Sequence, residues 1–199
     1  VRGDHNFAPF EYLDESGVAR GFDVDILRAV AEVTNLDIDL RLGPWDEVRS
    51  ELESGRIDAL VGMRYSAERD LLVDFSAPYL INTSAIFVRN GSEIRSTADL
   101  RGKEIIVQRG DIMNDYVRDL NLSSSIIFVS EQVEALELLA SGKHDAALCS
   151  RLRGLYLVRQ LKLDNVTVVG DELAGGPYGF AVSEGNRLLL ARLNEGLRI

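Results

Sequence analysis

The chain has 199 residues, of which 46% are apolar, and its formal net charge is −10. It is long enough to bury a sizeable core as one large domain or two small lobes, and its composition is typical of a globular protein. The acidic balance disfavours nucleic acid as a partner, because phosphate contacts require a surface rich in Lys and Arg. Cys149 is the only cysteine, which excludes an internal disulfide and a thiolate metal cluster.

The sequence contains neither a recognisable signal peptide nor a membrane span. No basic and then apolar pattern follows Val1, and no stretch approaches the roughly 20 apolar residues that a span requires. The sequence opens on what reads as the end of a first strand and stops, at 197–199, inside a predicted helix. We therefore expect an excised piece of a longer protein, whose flanking segments include its signal or membrane segments.

Short apolar runs alternate with helical patterns, which is typical of βαβ units and a mainly parallel sheet. The elements predicted in the first half are a helix capped by Asp23 and ending near Asn35, a strand over 38–42, a helix from Trp45 to a stop at Gly55, a strand over 57–61 and a loop over 62–69.

The second half repeats this organisation. The elements predicted there are a helix start at 96–99, strands over 104–107 and 125–129, a helix capped by Ser130 and closed by Gly142, a strand over 145–149, a helix with Leu152, Leu155 and Tyr156, strands over 166–169 and 179–182, and a helix over 186–199.

Residues 53–60 and 140–147 share one order of features: a helix end, a Ser-Gly stop, a basic residue and an Asp-Ala strand start. Chance is the alternative for so short a match, but two similar units favour two lobes of like construction. In open α/β sheets ligands bind beyond the carboxyl ends of strands. Segments 62–69 and 149–151 are therefore predicted to supply the ligand site.

Several segments together resemble the family 3 extracellular solute-binding proteins, in particular the branch fused to membrane sensor kinases and diguanylate cyclases. The segments are DHNFAPFEY (4–12), GFDVD (21–25), GRIDA (55–59), YSAER (65–69), VDFSAPY (73–79), LRGK (100–103), VQRGD (107–111) and PYGFAV (177–182). They follow the family order over essentially the whole chain, and GMRYSAER (62–69) is more like the sensor-fused branch than like transport proteins.

The resemblance implies an α/β fold of two Rossmann-like lobes joined by two hinge strands, the type II periplasmic-binding-protein or Venus-flytrap arrangement. Lobe 1 is expected to comprise residues 1–86 and 181–199, and lobe 2 residues 87–180. The crossings are expected near 84–88 and 178–182, where the sequence is apolar and free of proline, as paired strands require.

The resemblance also implies that Arg69 clamps a ligand carboxylate, for which a planar guanidinium is suited. The alternative is a surface ion pair with Asp70 or Glu68. Met63, Arg64 and Tyr65 belong to the same proposed ligand-binding loop. Arg64 departs from the small polar residue of transport members, so it either adds a second cation to the site or points to solvent.

Three candidate ligand-binding residues come from the second half. Asp111 and Ile112 occupy the position where family members hold the ligand carboxylate with hydroxyl groups and a helix N-terminus, although Asp111 is also suited to a helix N-cap. Ser150 replaces the Asp that pairs with the ammonium group in amino-acid-binding members. This loss of charge argues against a standard α-amino acid bound in the standard way.

Asp4, Phe7 and Phe10 complete the candidate ligand-binding set, because the family lines its pocket with the loop after the first strand. Tyr12 and Trp45 are expected to be core residues. Two distant histidines and one cysteine give no metal-ligand cluster, and no cofactor is implied.

These features predict a periplasmic, non-enzymatic sensor domain of an inner-membrane signalling protein, such as a histidine kinase. The domain is expected to close on a small organic ligand, an anionic carboxylate. The membrane would be reached through flanking segments, and the full-length receptor is a possible dimer. One alternative is a free or lipid-anchored solute-binding protein of an ABC transporter. A minor alternative is an enzyme resembling cyclohexadienyl dehydratases, for which Asp4 or Asp111 would be the acid.

Overall fold

The computed structural model describes residues 1–119 and 125–199. They form two compact units: unit 1 contains residues 1–81 and 176–199, and unit 2 contains residues 82–175. The chain passes into unit 2 after Ile81 and returns after Gly175, each time within a single strand. The predicted boundaries, after residues 86 and 180, lie a few residues further along the chain at both crossings.

The first half contains eight strands and two α-helices. In chain order they are β1 (Arg2–Asp4), β2 (Asn6–Phe7), β3 (Glu11–Leu13), β4 (Ala19–Arg20), α1 (Phe22–Thr34), β5 (Arg41–Gly43), α2 (Trp45–Glu53), β6 (Ala59–Arg64), the 3-10 helix Arg69–Leu71, β7 (Val73–Phe75) and β8 (Leu80–Arg89).

The second half continues with four α-helices and four strands among the described residues. They are the 3-10 helix Thr97–Leu100, β9 (Glu104–Gln108), α3 (Ile112–Asp119), β10 (Ser125–Val129), α4 (Gln132–Ala140), β11 (Ala146–Ser150), α5 (Arg151–Gln160), β12 (Val166–Ser183) and α6 (Arg187–Gly196).

In unit 1, β1 lies between its parallel neighbours β5 and β6, and the C-terminal part of β12 is antiparallel to both β6 and β7. Alternate residues face opposite sides: Ala59 and Val61 enter one core cluster, whereas Leu60 enters the other. The pairing shifts from Ala181 with Leu60 to Gly179 with Met63, so β6 carries one extra residue there. This bulge turns Met63 to the same side as Leu60.

In unit 2, β9 lies between its parallel neighbours β10 and β11, and β8 is antiparallel to β11. The buried strand β9 places Ile105 and Val107 in one core cluster and Ile106 in the other. Because both faces of the sheet are buried, its strands read as continuous apolar runs. The parallel strands β9, β10 and β11 therefore direct their carboxyl ends to one edge of unit 2.

Three predicted boundaries are corrected by the structure. The strands expected over 166–169 and 179–182 are one strand, because the backbone between them stays extended although Gly170 and Ala174 have positive φ. The strand expected over 38–42 is confined to Arg41–Gly43. The loop expected over 62–69 begins only after Arg64, since β6 continues through its bulge.

Two predicted caps are also corrected. Gly21 precedes α1, and Asp23 lies buried in its first turn. The N-cap of α4 is Glu131 in place of Ser130. Helix α5 buries Arg153, Gly154 and Leu157 and exposes Leu152, Leu155 and Tyr156. A Cβ atom at Gly154 would collide with the ring of Phe87, so the glycine lets α5 pack closely with this face.

Candidate functional site

The carboxyl end of β6 in unit 1 carries two buried guanidinium groups. Arg64 is the last residue of the strand and is 6% exposed, and Arg69 is 2% exposed at the start of the following 3-10 helix. The Ser66 hydroxyl accepts the backbone N–H of Arg69, and Arg69 Nη1 donates to the backbone oxygen of Arg64 at 3.2 Å. These two hydrogen bonds therefore hold the loop over 65–68 against Arg69.

The burial of these groups excludes one alternative for each of them. Arg69 is not a surface ion-pair residue, and Arg64 does not point to solvent. A buried guanidinium keeps its charge, because its pKa is too high for deprotonation, so it requires hydrogen-bond acceptors or an anion nearby. Two such cations therefore lie at one strand end of unit 1.

Other predicted residues of unit 1 lie beside β6 or in the first strands. Phe7, in β2, stacks on Phe10 with ring centroids 5.1 Å apart, and Phe10 is buried against the Tyr178 ring at 6.0 Å. Asp4 is buried at the end of β1 and accepts the backbone N–H of Asn6.

Met63 is a core residue, whereas the half-exposed Tyr65 packs edge-on against Phe75. Phe7 and Tyr65 thus keep part of their rings exposed, whereas the Phe10 ring and the Met63 side chain are buried.

A pair of buried carboxyl groups, Glu11 and Asp23, was not anticipated as part of a site. Asp23 is fully buried, and its Oδ2 accepts the Tyr178 hydroxyl at 2.9 Å. A Cβ atom at Gly62 would lie 2.6 Å from Asp23 Oδ2, so only glycine at this position of β6 leaves room for the hydrogen bond. Asp23 therefore connects α1 to β6 and β12 within unit 1.

Burial changes the protonation of this pair. Desolvation raises the pKa of Asp23 to about 7, against the opposing hydrogen bond from Tyr178. Desolvation also raises the pKa of Glu11 well above its ordinary value, and the charges of Asp23 and Asp4 add to this effect. Burial therefore favours the protonated form of both carboxyl groups. Sequence reasoning missed Asp23 because acidic residues in the first turn of a helix are usually solvated caps.

In unit 2, Ser150 lies at the carboxyl end of β11 and is 2% exposed. Its hydroxyl donates to Asn82 Oδ1 at 3.1 Å, so its donor is already engaged. Asn82 was not predicted, because it precedes Thr83 and Ser84 in a short polar stretch that carries no distinguishing signal.

Asp111 follows the end of β9 and opens α3. Its Oδ1 accepts the Ile112 backbone N–H at 2.6 Å, and its Oδ2 accepts Gln132 Nε2 at 3.3 Å. Ile112 itself is buried in the core of unit 2 and contributes no side-chain polar group. Gln132 was missed by sequence reasoning, and its position one residue after the cap of α4 is the only signal that would have found it.

Cys149 is buried, and its surroundings disfavour the thiolate. Burial raises the pKa of Cys149, the charge of Asp111 raises it further, and Arg153 opposes both effects. Arg153 is 1% exposed, with its guanidinium 5.9 Å from the Tyr156 ring centroid. Asp111 and Arg153 therefore both lie close to the end of β11.

Within residues 1–119 and 125–199, no group of three or more His, Cys, Asp or Glu side chains is placed to hold a metal ion. No helix in the same ranges combines the length and apolar character of a membrane-crossing segment.

Comparison with known proteins identifies the family of this architecture. The family model for bacterial extracellular solute-binding proteins, family 3, matches residues 1–199. The L-cystine-binding protein TcyJ of Escherichia coli (strain K12) is 28% identical over 194 residues, which cover 96% of this chain and 73% of that protein. The ABC transporter glutamine-binding protein GlnH of Bacillus subtilis (strain 168) is 30% identical, over 92% of this chain and 68% of that protein.

Two solved structures share the fold over 99% of this chain. One is a histidine kinase sensor domain with similarity to periplasmic binding proteins, at 36% identity and a TM-score of 0.95 over 87% of that chain. The other is an ancestral arginine-binding protein bound to arginine, at 33% identity and a TM-score of 0.90 over 89% of that chain. The predicted α/β fold of the type II periplasmic-binding-protein class is confirmed, and the chain belongs to the bacterial extracellular solute-binding proteins, family 3.

Proposed function

We propose that this chain is the periplasmic ligand-binding domain of an inner-membrane signalling protein, a histidine kinase, and that it signals by closure of its two units on a small organic ligand. The observation that carries the proposal is the buried Arg69, held at the end of β6 by its hydrogen bond to Arg64. The similarity to a histidine kinase sensor domain supports the signalling role.

The ligand is proposed to carry a carboxylate that pairs with Arg69. A guanidinium whose Nη1 is already anchored to a backbone oxygen is oriented before the ligand arrives, so little side-chain entropy is lost on binding. Arg64 supplies a second positive charge beside it. Phe7, Phe10 and Tyr65 are proposed to bound the ligand in unit 1, together with Asp4 and the Met63 backbone. Asp111, Ile112 and Ser150 are proposed as the contacts in unit 2.

The proposed domain binds its ligand without transforming it. The described side chains of the candidate site include no pair of nucleophile and base, and Cys149 is buried and protonated. The parent protein is proposed to reach the membrane through segments flanking this chain and to dimerise there. Turnover of a cyclohexadienyl acid by the purified chain, abolished by Asp111→Asn, would instead indicate the dehydratase-like alternative.

A second candidate function is substrate delivery to an ABC transporter. It is favoured by curated relatives such as the cystine- and glutamine-binding proteins. The two candidates differ in what the ligand changes. In the full-length protein in membrane vesicles, the signalling role predicts that ligand alters autophosphorylation, whereas the delivery role predicts ligand-stimulated ATP hydrolysis by a partner transporter and no phosphorylation.

Binding itself is tested by thermal unfolding of the purified chain in the presence of amino acids and organic acids. A ligand at 100 times its Kd stabilises the folded state by about 2.7 kcal/mol and raises the melting temperature. We expect Arg69→Lys to weaken the binding of each such ligand at least tenfold, because a single ammonium replaces a bidentate fork. Arg28→Lys, at an exposed arginine of α1, is the matched control. Equal binding by Arg69→Lys would contradict the proposed clamp.

A further inference from the structure

A cavity of about 300 Å³ lies within unit 1, beside the loop that follows β6. Aromatic and proline side chains form most of its wall: Tyr65, Phe75, Pro78 and Pro177. Its volume is at the lower end of the range for ligand pockets, roughly 300–1,000 Å³, so the cavity is suited to a small molecule. Neither of the two arginines of the candidate site is part of this wall.

Two aromatic rings meet in this cavity. The Tyr65 and Phe75 rings have centroids 5.3 Å apart and planes inclined at 69°. Tyr65 is 39% exposed and Phe75 is half-buried, so both rings keep surface that a ligand can contact. Because the face of an aromatic ring attracts positive charge, this pair of rings favours an apolar group that carries a cation.

The carboxylate of Asp70 supplies a negative charge to the same cavity. Its Oδ2 accepts the Tyr65 hydroxyl at 3.4 Å, and no ion pair joins it to a cation among the described residues. The hydroxyl of Ser76, which also lines the cavity, is already engaged, since it donates to the Ala77 backbone oxygen and accepts the Phe180 backbone N–H. Asp70 is therefore the polar partner that a ligand would meet there.

The charges of the loop decide which class of ligand fits. Glu68 and Asp70 are exposed, whereas Arg69, which lies between them in the chain, is buried. An anion would be repelled by Asp70, and a small hydrated cation would lose its water against rings and prolines without enough acceptors in return. An ammonium ion with alkyl substituents places apolar groups against the rings and its charge beside the carboxylate.

We propose that the cavity at Tyr65, Asp70 and Phe75 is a second binding site of unit 1, for a small alkylated ammonium cation of the choline type. This inference goes beyond the proposed function, because the site lies within one unit and includes neither Arg64 nor Arg69. Tyr65 thereby belongs to both sites, through its backbone in the loop that holds Arg69 and through its ring in this cavity.

The test measures Kd by NMR titration of the isotopically labelled, purified chain. The probes are choline and 3,3-dimethylbutan-1-ol, a neutral alcohol in which carbon replaces the charged nitrogen of choline. We expect choline to bind with a millimolar or lower Kd and to shift the resonances of Asp70, Phe75 and Gly179. The alcohol should bind at least tenfold more weakly, because it lacks the charge that the rings and the carboxylate attract.

Asp70→Asn keeps an acceptor for Tyr65 but removes the charge, and it is expected to weaken choline binding at least threefold. Tyr65→Leu should have an effect of similar size, because it removes one ring. Glu68→Gln, at an exposed acid of the same loop that does not line the cavity, is the matched control and should leave choline binding unchanged.

Three results would overturn the inference. They are the absence of shifts at millimolar choline, equal binding of choline and the alcohol, and choline binding that survives Asp70→Asn unchanged in a folded variant. Choline lipids present the same ammonium group, so the chain is also sedimented with phosphatidylcholine vesicles. We expect it to remain in solution, and sedimentation with the vesicles would contradict a site for a free cation.

Discussion

Replacement of Asp23 by Asn tests whether the buried carboxyl pair binds a proton in the folded state. Asp23 accepts the Tyr178 hydroxyl, and burial raises its pKa from the ordinary value of 3.8 to about 7. The groups facing it in unit 1 are Glu11, Asp4, Tyr178 and Tyr79. The folded chain therefore binds a proton at Asp23 more tightly than the unfolded chain does. The stabilisation that this proton gives is fully present below pH 3.8 and is lost as the pH rises to about 7.

The magnitude follows from the size of the shift. A pKa difference of about three units corresponds to about 4 kcal/mol over the whole titration, of which roughly 2–3 kcal/mol falls between pH 5 and pH 8. Asp23→Asn keeps the size of the side chain and an acceptor for Tyr178 but removes the titration. The free energy of unfolding of the wild type, relative to Asp23→Asn, should therefore fall by roughly 2–3 kcal/mol between pH 5 and pH 8.

The assay is urea unfolding of both proteins followed by circular dichroism at the two pH values. The quantity compared is the difference in free energy of unfolding between wild type and Asp23→Asn at pH 5 and at pH 8. Any effect of the substitution that does not depend on pH therefore cancels. Asp25→Asn, at an exposed aspartate of the same helix, is the control and should change the free energy of unfolding by less than about 0.5 kcal/mol at either pH. A difference between wild type and Asp23→Asn that does not vary with pH would refute the reasoning.

Two further predictions concern packing. Gly62→Ala should lower the free energy of unfolding by at least about 2 kcal/mol, because its Cβ atom would collide with the Tyr178 hydroxyl and lie 2.6 Å from Asp23 Oδ2. Gly176→Ala, whose Cβ atom would lie no closer than 3.8 Å to its neighbours, should change the free energy of unfolding by less than about 0.5 kcal/mol. Equal losses of stability in the two variants, measured by urea titration, would contradict this packing. Cys149 should react with a thiol reagent only after unfolding, because burial raises its pKa, and labelling of the native chain at the rate of a free thiol would be inconsistent with its placement.

Much of the fold was predictable because local signals and the tertiary structure agree. The helix end at Asn35 is confirmed, with the residue in the left-handed conformation, and the positive φ of Gly55 terminates α2 as expected. The discontinuity of the first unit was anticipated from the family resemblance and not from periodicity. The burial of both sheet faces is also visible in the sequence, as continuous apolar strands.

The details of the site were less accessible, since they depend on contacts between distant residues. The bulge that places Met63 in the core depends on the pairing of β6 with β12, more than 100 residues further along the chain. Asp23 resembles a solvated cap until Tyr178 is placed against it. Nothing in the sequence distinguishes Gln132, because its hydrogen bond to Asp111 joins residues that are 21 positions apart in the chain.

The most direct test of the account is the coupling between Arg69 and the carboxylate of the ligand. Once a ligand has been found, its Kd and that of its carboxamide analogue are measured by calorimetry for the wild type and for Arg69→Lys. A charge-assisted, bidentate contact predicts a coupling free energy of about 1.5–3 kcal/mol in this double cycle. A coupling near zero, with both variants folded and both compounds bound, would contradict the claim that this guanidinium holds the ligand.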